Sequence, residues 1–152
     1  MKNKIAIKRV GSPLEITTTS VQYRCDMKEF INSDRIPEMV SLGNNLFLLA
    51  DEDGRMKKLK HNFYLFLPQR SFPVQTIIGA VAFVRIKPIL SVGEIYDYEL
   101  DSITDADVEF INTILEPETQ CRLKEVFLDL YKDEENPEGY WGYCIKEFTF
   151  GN

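Results

Sequence analysis

The feature that most constrains the fold is the longest apolar run of the chain, residues 75–86, which reads Gln-Thr-Ile-Ile-Gly-Ala-Val-Ala-Phe-Val-Arg-Ile. The run is rich in β-branched residues, and charges at Arg85 and Lys87 close it. Such a run is typical of a strand buried on both faces in the middle of a sheet. We therefore predict an α+β fold with a mostly antiparallel sheet centred on residues 75–86.

Two hairpins are predicted before this run. Residues 4–10 alternate apolar and polar side chains, residues 14–19 are β-branched, and Gly-Ser-Pro separates the two segments. Residues 36–42 and 46–50 flank Gly-Asn-Asn, which supplies the positive φ angles of a tight turn. The N-terminal half of the chain is thus expected to be largely β-structure.

Three helices are predicted. Asp26 is the expected N-cap of a short helix that ends near residues 33–34. Thr104 followed by Asp107 resembles a capping box, and Pro117 suits the first turn of a further helix that ends near residue 132. These two C-terminal helices are expected to pack on one face of the sheet. Their predicted buried residues are Ala106, Phe110, Ile111 and Ile114 in the first, and Leu123, Val126, Phe127, Leu130 and Tyr131 in the second.

The length of 152 residues fits a single domain. We expect a core at residues 1–114 and an extension at 115–152, in which a helix and an aromatic-rich strand at 140–150 pack on the same domain. No apolar run reaches the length of a membrane span, and charges at Lys8 and Arg9 interrupt the N-terminus too early for a signal peptide. A cytoplasmic location without membrane contact is therefore expected.

Catalytic and metal-binding motifs are not recognisable. Cys25, Cys121 and Cys144 form no CxxC pair, and His61 is the chain's one histidine, so free thiols are predicted and no zinc site. Asp51-Glu52-Asp53-Gly54 lacks the ligand spacing of a calcium loop and is interpreted as a turn. The sequence predicts no cofactor and no enzymatic activity.

Several pieces of the chain together resemble a known family. They are Leu49–Gly54, Leu59 with Asn62, Ile77–Val84 and Ser102–Ile111. In that order they are similar to the domain-of-unknown-function 3846 family, small proteins of phages, plasmids and other mobile elements of Gram-positive bacteria, over residues 4–114. The family often has proline and arginine where this chain has His61 and Phe63. The resemblance implies a small α+β domain and a mobile-element origin, and it implies no activity.

Charge is distributed unevenly. Residues 91–138 contain 15 Asp/Glu and 3 Lys/Arg, whereas residues 1–90 contain 14 Lys/Arg and 8 Asp/Glu. An acidic field repels nucleic acid and attracts basic surfaces. Our leading hypothesis is a non-enzymatic interaction protein of a phage or mobile element, a DNA-mimic-like inhibitor of a host nucleic-acid-binding defence protein such as a CRISPR or restriction effector. A merely solvated helix face explains the same pattern. The predicted contact residues are Glu109, Glu116, Glu118, Glu125, Asp129, Asp133, Glu134 and Glu135.

The alternative hypothesis concerns a basic segment at residues 55–61. It could sequester a nucleotide signal through Arg55, Lys57, Lys58, Lys60 and His61, although no glycine-rich phosphate cradle is present. A strand edge protected by lysines, with an exposed histidine, is the simpler explanation of this segment. The segment could also contact the acidic tract of another copy, which would give a homo-oligomer.

Overall fold

The computed structural model describes residues 2–68, 73–88 and 97–131. The helices comprise a 3₁₀ helix at Arg24–Ile31, α1 at Asp105–Leu115 and α2 at Pro117–Tyr131. The strands are β1 (Asn3–Lys8), β2 (Glu15–Thr19), β3 (Glu38–Gly43), β4 (Leu46–Ala50), β5 (His61–Phe66), β6 (Val74–Ile78), β7 (Val81–Ile86) and β8 (Leu100–Asp101). Both predicted hairpins, β1–β2 and β3–β4, are confirmed.

A six-stranded antiparallel sheet forms the middle of the molecule. Its order is β2-β1-β7-β4-β3, and β8 pairs with β7. Phe83 of β7 lies opposite Ala6 on one side and Leu48 on the other. Alternation sends Val81 and Phe83 to one apolar cluster and Ala82, Val84 and Ile86 to another, so β7 is buried on both faces. The α+β class and the central position of this strand are confirmed.

The prediction of one strand over residues 75–86 is wrong. Gly79 has a φ of 74°, in the left-handed region that favours glycine, and it ends β6 before β7 begins. A Cβ atom at this position would lie 2.6 Å from Cδ1 of Leu59. β6 therefore turns away and pairs with β5 in a separate two-stranded sheet, and the large sheet is centred on β7 alone.

The layers follow from the two faces of the large sheet. The 3₁₀ helix covers one face with Met27 and Ile31. The β5–β6 hairpin and α1 cover the other, where Phe63 stacks on Phe83 with ring centroids 6.0 Å apart. Helix α2 packs on the outer side of the hairpin through Phe127, whose ring lies 5.4 Å from that of Tyr64. Both C-terminal helices thus lie on the same side of the large sheet, as predicted.

The local details of the helices differ in part from expectation. The capping box of Thr104 and Asp107 is confirmed. Asp26 is not an N-cap, because the first helix is a 3₁₀ helix whose N-cap position is Tyr23. The predicted buried faces are wrong at four residues that are exposed, Ala106, Phe110, Val126 and Leu130. The predicted strand at residues 140–150 lies outside the described residues.

Candidate functional site

Helix α1 is attached to the central strand by an ion pair. Arg85 of β7 donates from Nε and Nη2 to the two carboxylate oxygens of Asp107, at 2.9 and 2.7 Å. Asp107 also accepts from the backbone N–H of Thr104 at 2.8 Å. Burial raises the pKa of Asp107, but the hydrogen bonds from Arg85 and Thr104 outweigh it and the pKa lies below its usual value. The sequence does not reveal this role of Asp107, because its partner lies 22 residues earlier.

Helix α2 is attached to the edge of β5 by Gln120. Its Oε1 accepts from the backbone N–H of Tyr64 at 2.7 Å, and its Nε2 donates to the Tyr64 carbonyl at 3.0 Å. The same Nε2 donates to the carbonyl of Ile114 in α1 at 2.8 Å. The Gln120 amide thus occupies the place of a further strand and satisfies backbone groups that an open edge leaves unpaired. Both helices are therefore fixed relative to the sheets.

Exposed carboxylates line one side of α1. Asp105, Glu109 and Glu116 lie at spacings i, i+4 and i+11, with Asn112 between them at i+7, and these positions share one helix face. They border a shallow cleft of about 410 Å³ next to Lys4 of β1, whose Nζ lies 3.4 Å from Asp105. We name Asp105, Glu109 and Glu116 the α1 acidic stripe.

Exposed carboxylates also line one side of α2. Glu118, Glu125 and Asp129 are exposed at i, i+7 and i+11, and the face they share lies opposite the buried Phe127. Arg122 lies on this face, and in the described part of the chain it forms no ion pair with Glu118. We name Glu118, Glu125 and Asp129 the α2 acidic stripe. Of the eight predicted contact residues, the structure places five on the two stripes, and Asp133, Glu134 and Glu135 lie outside the described residues.

Asp97 is an acid of the tract that does not reach the surface. Its carboxylate accepts from the backbone N–H of Cys25 at 2.6 Å and from Nε of Arg24 at 3.1 Å. A side-chain hydrogen bond with Asp97, followed by burial, raises the pKa of the Cys25 thiol to about 11. The thiolate is the reactive form of cysteine, so Cys25 is a poor nucleophile at neutral pH. This arrangement fixes the start of the 3₁₀ helix.

The basic segment at residues 55–61 does not form one open cationic patch. Nζ of Lys57 lies 2.6 Å from Asp51 and 3.0 Å from Asp34, so two carboxylates already neutralise its charge. The expectation of an exposed His61 is wrong, because it is half-buried at the start of β5 and its ring lies 4.5 Å from that of Tyr64. Burial, assisted by the charges of two lysines, lowers the pKa of His61 to about 4. Lys58 and Lys60 are exposed and Arg55 is half-buried.

Four of the residues that carry the family resemblance, Gly54, Leu59, Asn62 and Gly79, meet at a corner between the two sheets. Nδ2 of Asn62 donates to the carbonyls of Lys8, at 2.9 Å, and Gly79, at 2.8 Å. Nζ of Lys8 donates to Oδ1 of Asn62 at 3.0 Å. The backbone N–H of Leu59, which lies against Gly79, donates to the carbonyl of Gly54 at 3.0 Å. These residues join the hairpin to β1, and their contacts are structural.

An apolar groove of about 610 Å³ lies where the ends of β3 and β5 meet α1 and α2. Phe66 and Phe110 line it and remain 52% and 46% exposed. We define the apolar groove by six of its lining residues, which are Leu42, Phe66, Leu67, Phe110, Ile114 and Leu123. The sequence does not predict this groove, because helical spacing places Phe110 on the buried face of α1. Nothing in the sequence separates the apolar residues that α2 leaves exposed from those that it buries.

Comparisons of the chain with models of known families, with curated proteins and with solved structures find no significant match. The resemblance to the domain-of-unknown-function 3846 family therefore stays a prediction. Among the described residues, neither helix combines the length and apolar character that a membrane span needs. Within the same ranges, no group of three His, Cys, Asp or Glu side chains is arranged to hold a metal ion.

Proposed function

We propose that the protein is a non-enzymatic interaction protein that binds a basic protein surface through the acidic stripes of α1 and α2. The observation that carries the proposal is the placement of five predicted contact residues on exposed helix faces at regular spacing. Both helices are fixed to the sheets, α1 by Asp107 and α2 by Gln120. Carboxylates on a rigid support lose less conformational freedom on binding than carboxylates on a loop.

The charge density of the stripes bears on the nature of the partner. Each stripe spans 11 residues, which is about 17 Å of helix. Duplex DNA carries roughly ten charges over that length, because it has one charge per ~1.7 Å of axis. A stripe carries three carboxylates, about a third of that density. This favours a partner with scattered lysines and arginines over a groove shaped for a duplex, and a nucleic-acid-binding defence protein remains the narrower form of the proposal.

Salt and charge reversal test the proposal together. The tagged 152-residue chain is used for capture from a lysate of the source cells at about 0.05 M and about 0.5 M salt, with mass spectrometry of the bound proteins. The test variant is Glu118→Lys with Glu125→Lys. The control is Glu29→Lys with Glu38→Lys, two exposed acids away from both stripes. Each variant changes the net charge equally, from −6 to −2.

The proposal expects a partner that the wild type and the control retain at low salt, and that high salt or the test variant releases. The physical reason is that exposed ion pairs weaken as the Debye length falls from roughly 14 Å to 4 Å between these salt concentrations. Capture that is indifferent to salt, or equal losses for the test and control variants, would show that the α2 acidic stripe is not the binding surface.

A further inference from the structure

We propose that the apolar groove receives a basic amphipathic segment of a protein partner, with the apolar side of the segment in the groove and its lysines or arginines against the α2 acidic stripe. The inference rests on the proposed function and adds the class of partner to it. It is carried by the continuity of the groove with α2 and by the charge at its border.

The groove has the dimensions of a binding site. Its volume of about 610 Å³ lies within the range of pockets that enclose ligands. Phe66 of β5 and Phe110 of α1 line it and remain half exposed, whereas Leu67, also in the lining, is buried. Aromatic side chains that face solvent around a concave apolar surface are typical of docking sites.

Helix α2 extends the groove along its own length. Thr119 and Leu123 line the groove, and Val126 and Leu130 follow at i+7 and i+11 from Thr119, on the same helix face. Val126 and Leu130 are 45% and 48% exposed. This apolar track is about 17 Å long, the length of three helical turns. An amphipathic helix with anchors at i, i+3, i+4 and i+7 matches a surface of this shape.

Charge selects the occupant. The α2 acidic stripe lies about 100° around the helix from the apolar track, so Glu118 and Glu125 border it along its length. Arg122 is one cation among three acids on that border. A segment with lysine or arginine beside its apolar side chains therefore gains attraction at the border, and a segment with acids there is repelled.

The same charge disfavours two other occupants. A second copy of this chain would bring a second acidic border against the first, which costs free energy through like-charge repulsion. The chain's own residues 140–150 contain one lysine and one glutamate, and residues 132–138, which precede them, contain four acids and one lysine. Neither the copy nor the segment offers the positive charge that the border attracts.

The experiment uses the 152-residue chain and three labelled synthetic peptides, measured by fluorescence anisotropy. The first peptide is an amphipathic helix of leucine and lysine. The second is its scrambled isomer, and the third replaces lysine with glutamate. We expect the first to bind at least about tenfold more tightly than the second, and the third not to bind. High salt should weaken the first complex, because part of its affinity comes from exposed charges.

Variants separate the groove from the acidic border. Phe110→Asp should weaken binding of the first peptide by about tenfold or more, since it places a charge in the apolar lining of the groove. Leu130→Asp, at the far end of the track, should do the same. Ile36→Asp is the matched control, because Ile36 is 50% exposed on another surface. Thermal unfolding of each variant checks that it is folded.

The outcomes distinguish the two proposals. Two results would overturn the groove proposal and leave the proposed acidic function standing. In the first, the double variant Glu118→Lys, Glu125→Lys abolishes peptide binding but Phe110→Asp and Leu130→Asp do not. In the second, the scrambled peptide binds as tightly as the amphipathic one. If the charge variant and salt also have no effect, both proposals fail. Trp141 is the chain's one tryptophan. If the Trp141 emission of the Phe110→Asp variant shifts in the absence of peptide, the groove is assigned to the chain's own residues 140–150. If the wild type is a dimer and Phe110→Asp is not, the groove is assigned to a second copy of the chain. Either result overturns the proposal.

Discussion

Replacing Asp107 with alanine should detach α1 from the central strand and destabilise the whole molecule. The carboxylate is buried and accepts two hydrogen bonds from Arg85 and one from the backbone of Thr104. Without it, the Arg85 guanidinium keeps a bond to the Asn44 carbonyl at 2.7 Å and is otherwise left without its counter-charge. The loss therefore combines a broken ion pair with a desolvated cation.

The magnitude can be worked from these contacts. Removing one partner of a buried pair costs about 3–5 kcal/mol. Arg85 is partly exposed and water reaches it, so the lower end of that range applies. The lost hydrogen bond to Thr104 costs about 1 kcal/mol, and the better helix propensity of alanine offsets roughly half of that. The sum, about 3.5 kcal/mol, lowers the melting temperature of a protein of this size by about 7–14 °C.

The assay is urea unfolding followed by circular dichroism, with Asp105→Ala as the control. Asp105 lies two residues earlier on the same helix, and its side chain is fully exposed, so its removal should leave the unfolding midpoint unchanged. A cycle that adds Arg85→Met should show coupling, because the double variant leaves no unpaired charge. An effect of Asp107→Ala no larger than that of Asp105→Ala, or strictly additive values in the cycle, would refute the reasoning.

Two further predictions follow from single contacts. Gly79→Ala should destabilise by about 2–4 kcal/mol, because it adds a clash with Leu59 to the cost of a left-handed φ. Gly11→Ala is the control, because Gly11 also has a positive φ, 73°, but has open space around it, and it should cost only about 1 kcal/mol. Equal urea midpoints for Gly79→Ala and Gly11→Ala would show that the clash with Leu59 is absent. The single imidazole signal of His61 should titrate near pH 4 by NMR. The pKa of His61 in the folded state lies below the unfolded value of about 6.5, so the free energy of unfolding should decrease by about 1–3 kcal/mol as the pH falls from 6.5 to 4. The variant His61→Gln should show a smaller decrease. Titration of the imidazole near pH 6.5 would contradict the burial of the ring.

The sequence predicts those features whose causes are local. Alternation and turn residues identify β1–β2 and β3–β4, and the spacing of Thr104 and Asp107 identifies the start of α1. The rotation of α1 about its axis has a distant cause, because the ion pair with Arg85 turns Asp107 toward β7 and leaves Phe110 at the surface. The break at Gly79 likewise involves distant residues, because β6 pairs with β5 and the backbone N–H of Gly79 donates to the carbonyl of Lys60 at 2.8 Å. The acidic stripes could be predicted and the apolar groove could not, since the groove follows from that rotation.

The residues that carry the family resemblance have different roles in the structure. They build the turn at 51–54, the Asn62 bridge between the sheets, the turn at Gly79 and the capping box of α1. The first three hold internal contacts. The segment Ser102–Ile111 is different, because it also carries Asp105 and Glu109 of the α1 acidic stripe and Phe110 of the apolar groove. The α2 acidic stripe and the apolar track on the same helix lie outside all of the quoted motifs. Variants on α2 therefore test the proposed binding surface without changing any residue of the motif set.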